Sequence, residues 1–539
     1  MRIKTITKLL SAVLSAAVLA ASVPTALLAE PAVPAEAGET TTARNPLRLW
    51  YNTAAENWQE QTLPIGNGDI GANIYGGIAS EHLTFNEKTL WTGGPSDSRP
   101  NYNGGNLENV GNEGQLVKEI QELFAAGNST AATNKCSTLI GAQNGYGAYQ
   151  AWGDIYFDYE GVTASAAQEY VRDLDLETAL STVSFQADDT RYTREYFVSN
   201  PDNVLVAKLS AEGSRKLNVN VRFTSKQGVT AVASGDTLLV AGSVSDNQLK
   251  FDSVLKVVNE GGSVTEDGAS LQVRDAASIT VYVSAATDYK NIYKTYRTGE
   301  TSEELHARVA EDVDAAAQKG YDAVKRDHIA DYRELFSRMT LDLGAEVSDK
   351  PTNDLLAAYK ENTASEAERR QLETMLFQYG RYLTIASSRE NSQLPSNLQG
   401  VWNDSNSPQW ASDYHLNVNL QMNYWPTYVT NLSECADPLI RYVDSLREPG
   451  RETARIYAGI VTDEEHPENG FMAHTQNTPF GWTCPGWAFS WGWSPAAVPW
   501  ILQNCWDYYD FTRDEEYLKE NIYPMMKEEA VLYDQMMIE

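Results

Sequence analysis

The sequence predicts a multidomain chain in which a large antiparallel β domain is followed by a helical connector and a helical toroid. Its 539 residues are too many for one compact core. Short runs rich in Val, Leu and Ile, bounded by turn residues, recur from about residue 47 to about residue 293, as in an antiparallel sheet. After Thr301 the apolar residues recur at three- and four-residue intervals, which is typical of helices.

The first 44 residues are predicted to precede the folded domains. Basic residues at the start are followed by an apolar stretch from Leu9 to Ala21, and small residues continue to about Ala29. This pattern predicts an export signal peptide at residues 1–29, with an uncleaved N-terminal anchor as the alternative. Residues 30–44 are rich in Pro, Ala, Glu and Thr and are interpreted as a linker. We expect a secreted or cell-surface protein whose mature chain has no transmembrane segment.

The β domain is predicted to span residues 45–295. One helical insertion is expected at Gly114–Ala126, where apolar residues share a helix face. The glycines between Gly66 and Gly77 lie among strand signals, so they are interpreted as turns and not as a phosphate-binding loop. The clearest strand runs are Val204–Leu209, Leu217–Phe223, Thr237–Val240 and Ser278–Val283.

The helical connector is predicted at residues 296–350, with a β-like segment at Met339–Leu343, and the first part of the toroid at residues 351–539. About six helices are expected in the toroid, enclosing a cleft. No Gly, Asn or Pro follows Met525, so we expect the sequence to end inside an element and to be part of a longer reading frame; a natural terminus on a frayed helix is the alternative. The expected helical segments are Glu366–Ser387, Leu416–Asn431, Pro438–Ile460, Pro485–Phe511 and Asp514 onward, broken at Pro524.

Composition excludes several classes of function. With 42 basic and 73 acidic residues the formal net charge is −31, which would repel nucleic acid and anionic membranes, so a neutral partner such as a sugar is easier to accept. The four cysteines are widely separated without CxxC spacing, so no zinc site is expected; two disulfides or buried free thiols are both compatible with them. The GxSxG, HExxH and Walker patterns are missing from the sequence, and we expect no metal and no cofactor.

The segment Asn397–Pro426 is the densest candidate site. It alternates Trp402, Trp410 and Trp425 with asparagines and His415. Core packing is one interpretation, and it accounts for most of the tryptophans between residues 402 and 506; Trp487 and Trp491, four residues apart, would share one helix face. A carbohydrate cleft is the sharper interpretation, because aromatic rings stack on sugars while amides bind hydroxyl groups.

His415, Asn417 and Asn419 are spaced by two residues. On a regular helix the two asparagines would point apart, so the helix must begin irregularly if both serve one site. Amides do not titrate near neutral pH, so they can position a water or a carboxylate but cannot act as a base. The nearby carboxylates do not single out an acid–base pair and are interpreted as helix caps or solvated loop charges: Asp404, Asp413, Glu434, Asp437, Glu464, Glu465 and Glu468.

Five long blocks occur in order along the sequence: LWYNTAAENWQEQTLPIGNGDIGANIYGG (49–77), LTFNEKTLWTGGP (83–95), YQAWGDIYFDY (149–159), NLQGVWN (397–403) and DYHLNVNLQMNYWP (413–426). Together they resemble glycoside hydrolase family 95, the inverting α-L-fucosidases. The resemblance implies a β-sandwich, a helical linker, an (α/α)6 barrel of which only about the first half is present, and a further C-terminal β domain. It also implies an exported hydrolase that removes terminal α-1,2-linked L-fucose from fucosylated glycans or oligosaccharides, although some members prefer α-L-galactosides.

The same resemblance assigns roles to residues. Asn417 and Asn419 match the family's asparagine pair, which holds the Asp that assists water, and are the candidate catalytic residues. His415 matches a sugar-binding histidine. The family's acid Glu and base Asp are expected beyond residue 539, so we expect negligible turnover from this sequence alone.

Four further residues are candidate substrate contacts. Trp482 and Trp491 could each stack on the sugar, with core packing as the alternative. His474 could bind a hydroxyl group or be a satisfied structural histidine, and Thr92 could reach the cleft from the β domain. Two other classes of function stay open at this stage: a non-catalytic carbohydrate-binding surface protein, and another helical-barrel enzyme such as a lyase or phosphorylase. The sequence leaves the oligomeric state undetermined.

Overall fold

The computed structural model describes residues 46–537, which belong to one folded unit. The predicted signal peptide and linker lie outside the described residues. Within residues 46–537, none of the helices has the length and apolar character needed to cross a bilayer.

The N-terminal half is an antiparallel β-sandwich. A nine-stranded sheet has the order β1-β6-β7-β8-β9-β16-β13-β12-β11, and a seven-stranded sheet has the order β14-β15-β10-β5-β4-β3-β2. The strands are β1 (Arg48–Tyr51), β2 (Leu63–Gly66), β3 (Ile70–Ile74), β4 (Ser80–Glu87), β5 (Gly153–Tyr159), β6 (Ala167–Asp175), β7 (Leu180–Ala187), β8 (Thr190–Ser199), β9 (Val204–Glu212), β10 (Leu217–Ser225), β11 (Val232–Ser234), β12 (Thr237–Ser243), β13 (Lys250–Glu260), β14 (Ser263–Asp267), β15 (Ser270–Ala276) and β16 (Ser278–Thr287).

Alternation of buried and more exposed residues along the strands builds the sandwich core. Strand β7 alternates strictly, so every second side chain is buried, as a sheet with one face on the core requires. Trp152, just before β5, packs edge-on against Phe85 of one sheet and Phe251 of the other, with ring centroids 6.2 and 5.6 Å apart. The predicted antiparallel β domain is therefore confirmed.

Helices dominate the rest of the described chain. In chain order they are α1 (Trp58–Gln61), α2 (Glu108–Gly111), α3 (Gln115–Ala125), α4 (Ser129–Cys136), α5 (Ser302–Lys319), α6 (Tyr321–Phe336), α7 (Thr352–Lys360), α8 (Glu366–Ser387), α9 (Asn419–Val429), α10 (Asp437–Ser445), α11 (Arg447–Ala458), α12 (Phe489–Gly492), α13 (Ala497–Thr512), α14 (Glu515–Tyr517) and α15 (Tyr523–Met536), with two short strands, β17 (Tyr414–His415) and β18 (Gln476–Asn477). Capping boxes begin α5 at Thr301 and α8 at Ser365.

Several predicted elements are corrected by the structure. The helical insertion in the β domain comprises α2, α3 and α4 rather than one helix, and the segments predicted at Pro438–Ile460 and Pro485–Phe511 each divide into two helices. The segment Met339–Leu343 forms no strand. The Arg381 guanidinium instead donates to the carbonyl of Met339 at 3.0 Å, so that carbonyl is satisfied without a sheet partner.

Hydrogen bonds join the two domains where the loop after α8 meets the sandwich. The buried Lys88 ammonium donates to the carbonyl of Ser387 at 2.6 Å. The Trp402 indole N–H donates to the carbonyl of Ile65 at 2.9 Å. These contacts place residues 388–413, which lead into the candidate site, against the β domain.

Candidate functional site

A cleft of about 800 Å³, called here the first cleft, lies between a loop of the β domain and loops of the helical domain. Its volume is within the range of about 300–1,000 Å³ typical of ligand sites. No carboxylate, Lys or Arg is among the described residues that line it. The lining comes from a β-domain loop, from the segment entering α9, and from the segment before α13: Gln143, Tyr146, Gly147, Leu398, Trp410, Ala411, His415, Asn417, Asn419, Thr475, Gln476, Trp487 and Trp491.

His415 is fixed in this cleft by backbone and side-chain bonds. Strand β17, which contains it, pairs antiparallel with β18, so His415 lies opposite Gln476. The Nδ1–H of His415 donates to the carboxylate of Asp413. Nε2 has no partner among the described residues, so it is available to a ligand in the cleft.

Asp413 orients the histidine from a wholly buried position. Burial raises the pKa of Asp413 to about 6, and the bond from His415 opposes that rise. Its second oxygen, Oδ2, has no hydrogen-bond partner within residues 46–537. The interpretation of Asp413 as a cap or solvated charge is therefore wrong: it is a buried group that positions the His415 ring.

Asn417 and Asn419 lie at an irregular helix start, as their spacing requires. Helix α9 begins at Asn419, while Asn417 lies in the preceding turn. Both side chains are exposed and line the first cleft. Neither has a hydrogen-bond partner among the described residues, so each amide can both donate to and accept from a ligand or a water.

Aromatic rings form one wall of the first cleft. Trp491 packs edge-on against Trp487, with centroids 4.9 Å apart, and Trp487 packs edge-on against Tyr146 at 5.1 Å. Trp410 stands perpendicular to the His415 ring at 5.9 Å. Trp487 and Trp491 do not share one face of a long helix, because α12 is a single turn that begins at Phe489, after Trp487.

Three candidate contacts lie outside the cleft lining. Trp482 is wholly buried and packs against Tyr146 at 5.2 Å, so it supports the cleft from behind. His474 is wholly buried, its Nδ1 accepts from the Ser494 N–H at 3.0 Å, and burial lowers its pKa to about 3. The Thr92 hydroxyl is used by the backbone of Ala148, which donates to it at 2.9 Å. None of these three residues lines the first cleft, so for Trp482 and His474 the structure favours the structural alternative, while their sugar contacts and that of Thr92 stay predictions.

The β domain reaches the cleft through a loop that sequence reasoning missed. Gln143, Tyr146 and Gly147 belong to it. Gly147 has φ +81°, and a Cβ there would lie 1.9 Å from the carbonyl oxygen of Thr92. The glycine-rich pattern GYGAY offered a signal for a tight turn, but nothing in it indicated contact with the helical domain.

Other candidate carboxylates have structural partners or lie elsewhere. Glu434 pairs with Arg338 at 2.8 Å. Asp437 is buried, accepts from the Tyr517 hydroxyl at 3.1 Å, and has its pKa raised to about 6 by burial, so it is not a solvated charge. Asp404 is exposed and does not line the first cleft.

The cysteines form no disulfide within residues 46–537. Cys435, Cys484 and Cys505 are buried free thiols, and Cys136 is a partly buried one. Burial raises the pKa of the Cys435 thiol to about 12, which keeps it protonated and unreactive. In the same described range, no group of three or more His, Cys, Asp or Glu side chains is arranged to hold a metal ion.

The structure thus combines an antiparallel β-sandwich with a helical domain, and an aromatic and amide-lined cleft lies between their loops. Residues 320–539 match the glycosyl hydrolase family 95 catalytic domain, and residues 49–292 match the N-terminal domain of glycosyl hydrolase family 65. The helical half of the chain is thus similar to the glycosyl hydrolase family 95 catalytic domain.

Two relatives carry fucosidase names. Alpha-L-fucosidase 2 of Arabidopsis thaliana is 30% identical over 512 residues, covering 89% of this chain and 58% of the relative. Probable alpha-fucosidase A of Aspergillus niger is 33% identical over 485 residues, covering 86% of this chain and 57% of the relative. The chain thus spans less than three fifths of the length of these relatives.

A solved structure supports the fold. It is titled "Putative kojibiose phosphorylase from human microbiome" and superposes with a TM-score of 0.59 at 11% identity, covering 91% of this chain and 59% of that one. At this identity the likeness concerns the arrangement of the β-sandwich and helical domain, and it does not extend to the reaction.

Proposed function

We propose that the first cleft binds the terminal α-L-fucosyl unit of a neutral glycan and that this sequence supplies the sugar-binding part of an exported inverting α-L-fucosidase with preference for the α-1,2 linkage. The observation that carries this proposal is the presence of two exposed, unpartnered amides, Asn417 and Asn419, beside His415 in an uncharged cleft. The fucosidase names of the relatives support the choice of sugar.

The chemistry of the lining fits fucose. Fucose is 6-deoxy-L-galactose, so it carries a methyl group where galactose has a hydroxymethyl group. The indoles of Trp487 and Trp491 supply apolar surface for such a group, and His415 Nε2 and the asparagine amides supply hydroxyl contacts. An α-L-galactosidase of the same family is the second candidate, and the two sugars differ by that one hydroxyl.

The described residues support a role in binding the sugar and in orienting water. Inverting hydrolysis needs an acid at the leaving oxygen and a base that activates water on the opposite face of the ring. Asn417 and Asn419 can hold the attacking water or the carboxylate that activates it, since amides donate and accept hydrogen bonds without titrating. No carboxylate is among the described residues that line the first cleft, so the proton transfers of a carboxylate acid and base are not assigned to this lining.

The test is NMR-monitored incubation of the chain with 2'-fucosyllactose, with and without inorganic phosphate. Release of L-fucose that appears first as the β anomer, without need for phosphate, supports inverting hydrolysis. Binding without release is compatible both with the negligible turnover expected of this sequence alone and with a non-catalytic binder, whereas release of L-galactose alone from the matched galactoside supports the second candidate. Asn417→Ala should abolish the binding of 2'-fucosyllactose, whereas Asn353→Ala, at an exposed residue on α7, should leave that binding unchanged.

A further inference from the structure

A second cleft of about 710 Å³ adjoins the first one. It lies between α1, the start of β2, and the loop that follows Leu398. Its volume is again within the range of about 300–1,000 Å³ of ligand sites. Leu398 and Trp410 line both clefts, so these two side chains stand between them.

The lining of the second cleft has the chemistry of a neutral sugar site. It contains the rings of Trp58, Trp402 and Trp410. The indole N–H of Trp58 donates to Thr84 at 3.2 Å, and that of Trp402 is also bonded within the fold, so both rings are fixed in place. Fixed aromatic rings bind apolar sugar faces with little loss of conformational entropy.

Polar groups between these rings are unpaired. Gln59, Asp404 and Gln409 are exposed and have no hydrogen-bond partner among the described residues. Asp404 carries the only charge in the described lining, and no Lys or Arg is present there. A phosphate or a carboxylated sugar would therefore meet no cation in this cleft, whereas hydroxyl groups would meet two amides and a carboxylate acceptor.

Trp410 lies between the two clefts, and the conformation of its backbone keeps its side chain exposed. Its indole is 72% exposed. Trp410, Ala411 and Ser412 have φ values of 55°, 57° and 50°, a left-handed run that costs about 1–3 kcal/mol per residue and persists only where the surroundings fix it. The Ala411 carbonyl accepts from the Tyr149 N–H at 2.9 Å, which ties this turn to the β domain.

We propose that the second cleft binds the part of a neutral oligosaccharide to which the terminal fucose is attached, with Trp410 packing at the junction of the two sugar units. This rests on the proposed function of the first cleft. A terminal sugar bound in the first cleft must leave its attached chain in a neighbouring space. The second cleft provides that space with matching neutral chemistry.

Three probes separate the two clefts: L-fucose, the neutral tetrasaccharide lacto-N-tetraose, and its α-1,2-fucosylated pentasaccharide. Binding of each to the full chain is measured by NMR titration. The variants are Gln59→Ala/Gln409→Ala for the second cleft and Asn417→Ala for the first. Gln168→Ala, at an exposed glutamine on β6 that lines neither cleft, is the matched control.

The double variant should weaken lacto-N-tetraose binding about tenfold, because two neutral hydrogen bonds are lost, and should leave L-fucose binding unchanged. Asn417→Ala should weaken L-fucose binding and leave lacto-N-tetraose binding unchanged. Binding of the pentasaccharide should be weakened by both sets of substitutions. Lacto-N-tetraose that does not bind, or that binds the double variant within twofold of wild type, overturns this inference while the fucose result stands on its own. L-fucose binding that is insensitive to Asn417→Ala would instead contradict the proposed function.

Discussion

Replacing Asp413 by asparagine measures how much the buried carboxylate next to His415 lowers the free energy of unfolding when it is ionised. Burial raises the pKa of Asp413 from 3.8 to about 6, so the folded chain holds a proton in a pH range where the unfolded chain has lost it. Stability from this group is full below about pH 4 and is lost as pH rises through about 6. At neutral pH the ionised carboxylate costs about 3 kcal/mol, from 1.36 kcal/mol for each pH unit.

The amide oxygen introduced by Asp413→Asn can still accept from His415 Nδ1, while the unpaired NH₂ adds a pH-independent cost of about 1–3 kcal/mol. The free energy of unfolding of Asp413→Asn, relative to wild type, should therefore rise by about 1.5 kcal/mol between about pH 5 and about pH 7.5. Urea unfolding, followed by tryptophan fluorescence, measures this difference in the free energy of unfolding at each pH. Asp97→Asn, at an exposed residue, is the control. A difference from wild type that stays constant across this pH range, or that falls as pH rises, would refute the reasoning.

Three further outcomes are expected. Trp491→Ala should weaken L-fucose binding severalfold in an NMR titration, whereas Trp482→Phe should leave it within twofold and lower the melting temperature, because Trp491 lines the first cleft and Trp482 is buried behind it. A thiol reagent should modify Cys136 alone in the native chain and four thiols in urea, and a reductant should not change the melting temperature; slow native modification of a second thiol would contradict the burial. Gly147→Ala should destabilise the chain by about 2 kcal/mol or more in urea unfolding, because a Cβ there would lie 1.9 Å from the Thr92 carbonyl; an unchanged midpoint would show that the loop adapts.

The fold could be predicted from local patterns because both periodicities are strong. Alternation marks strands such as β7, and the three- and four-residue spacing marks α5 and α8, each with its capping box. Element boundaries were harder to predict. The apolar spacing of Pro485–Phe511 predicts one helix, but the structure has the single turn α12 and then α13, with Pro495 in the turn between them.

The candidate site was predicted in part. His415, Asn417, Asn419 and Trp491 all line the first cleft, because one loop and one helix start bring them together. The prediction for Asp413 was wrong, because aspartates are mostly exposed and only the fold shows that this one is buried. The β-domain loop that includes Tyr146 reaches the cleft by long-range packing that no local pattern encodes.

The most direct test of the central claim is a titration of L-fucose into the wild-type chain, Asn417→Ala and Asn419→Ala, with Asn353→Ala as the exposed control. Both cleft variants should keep the wild-type free energy of unfolding within about 0.5 kcal/mol, since their amides are exposed and unpartnered. Each should weaken fucose binding about tenfold or more, and the control should bind as wild type. Equal fucose affinity in all four proteins, or no binding to wild type, would contradict the assignment of this cleft to a terminal fucose.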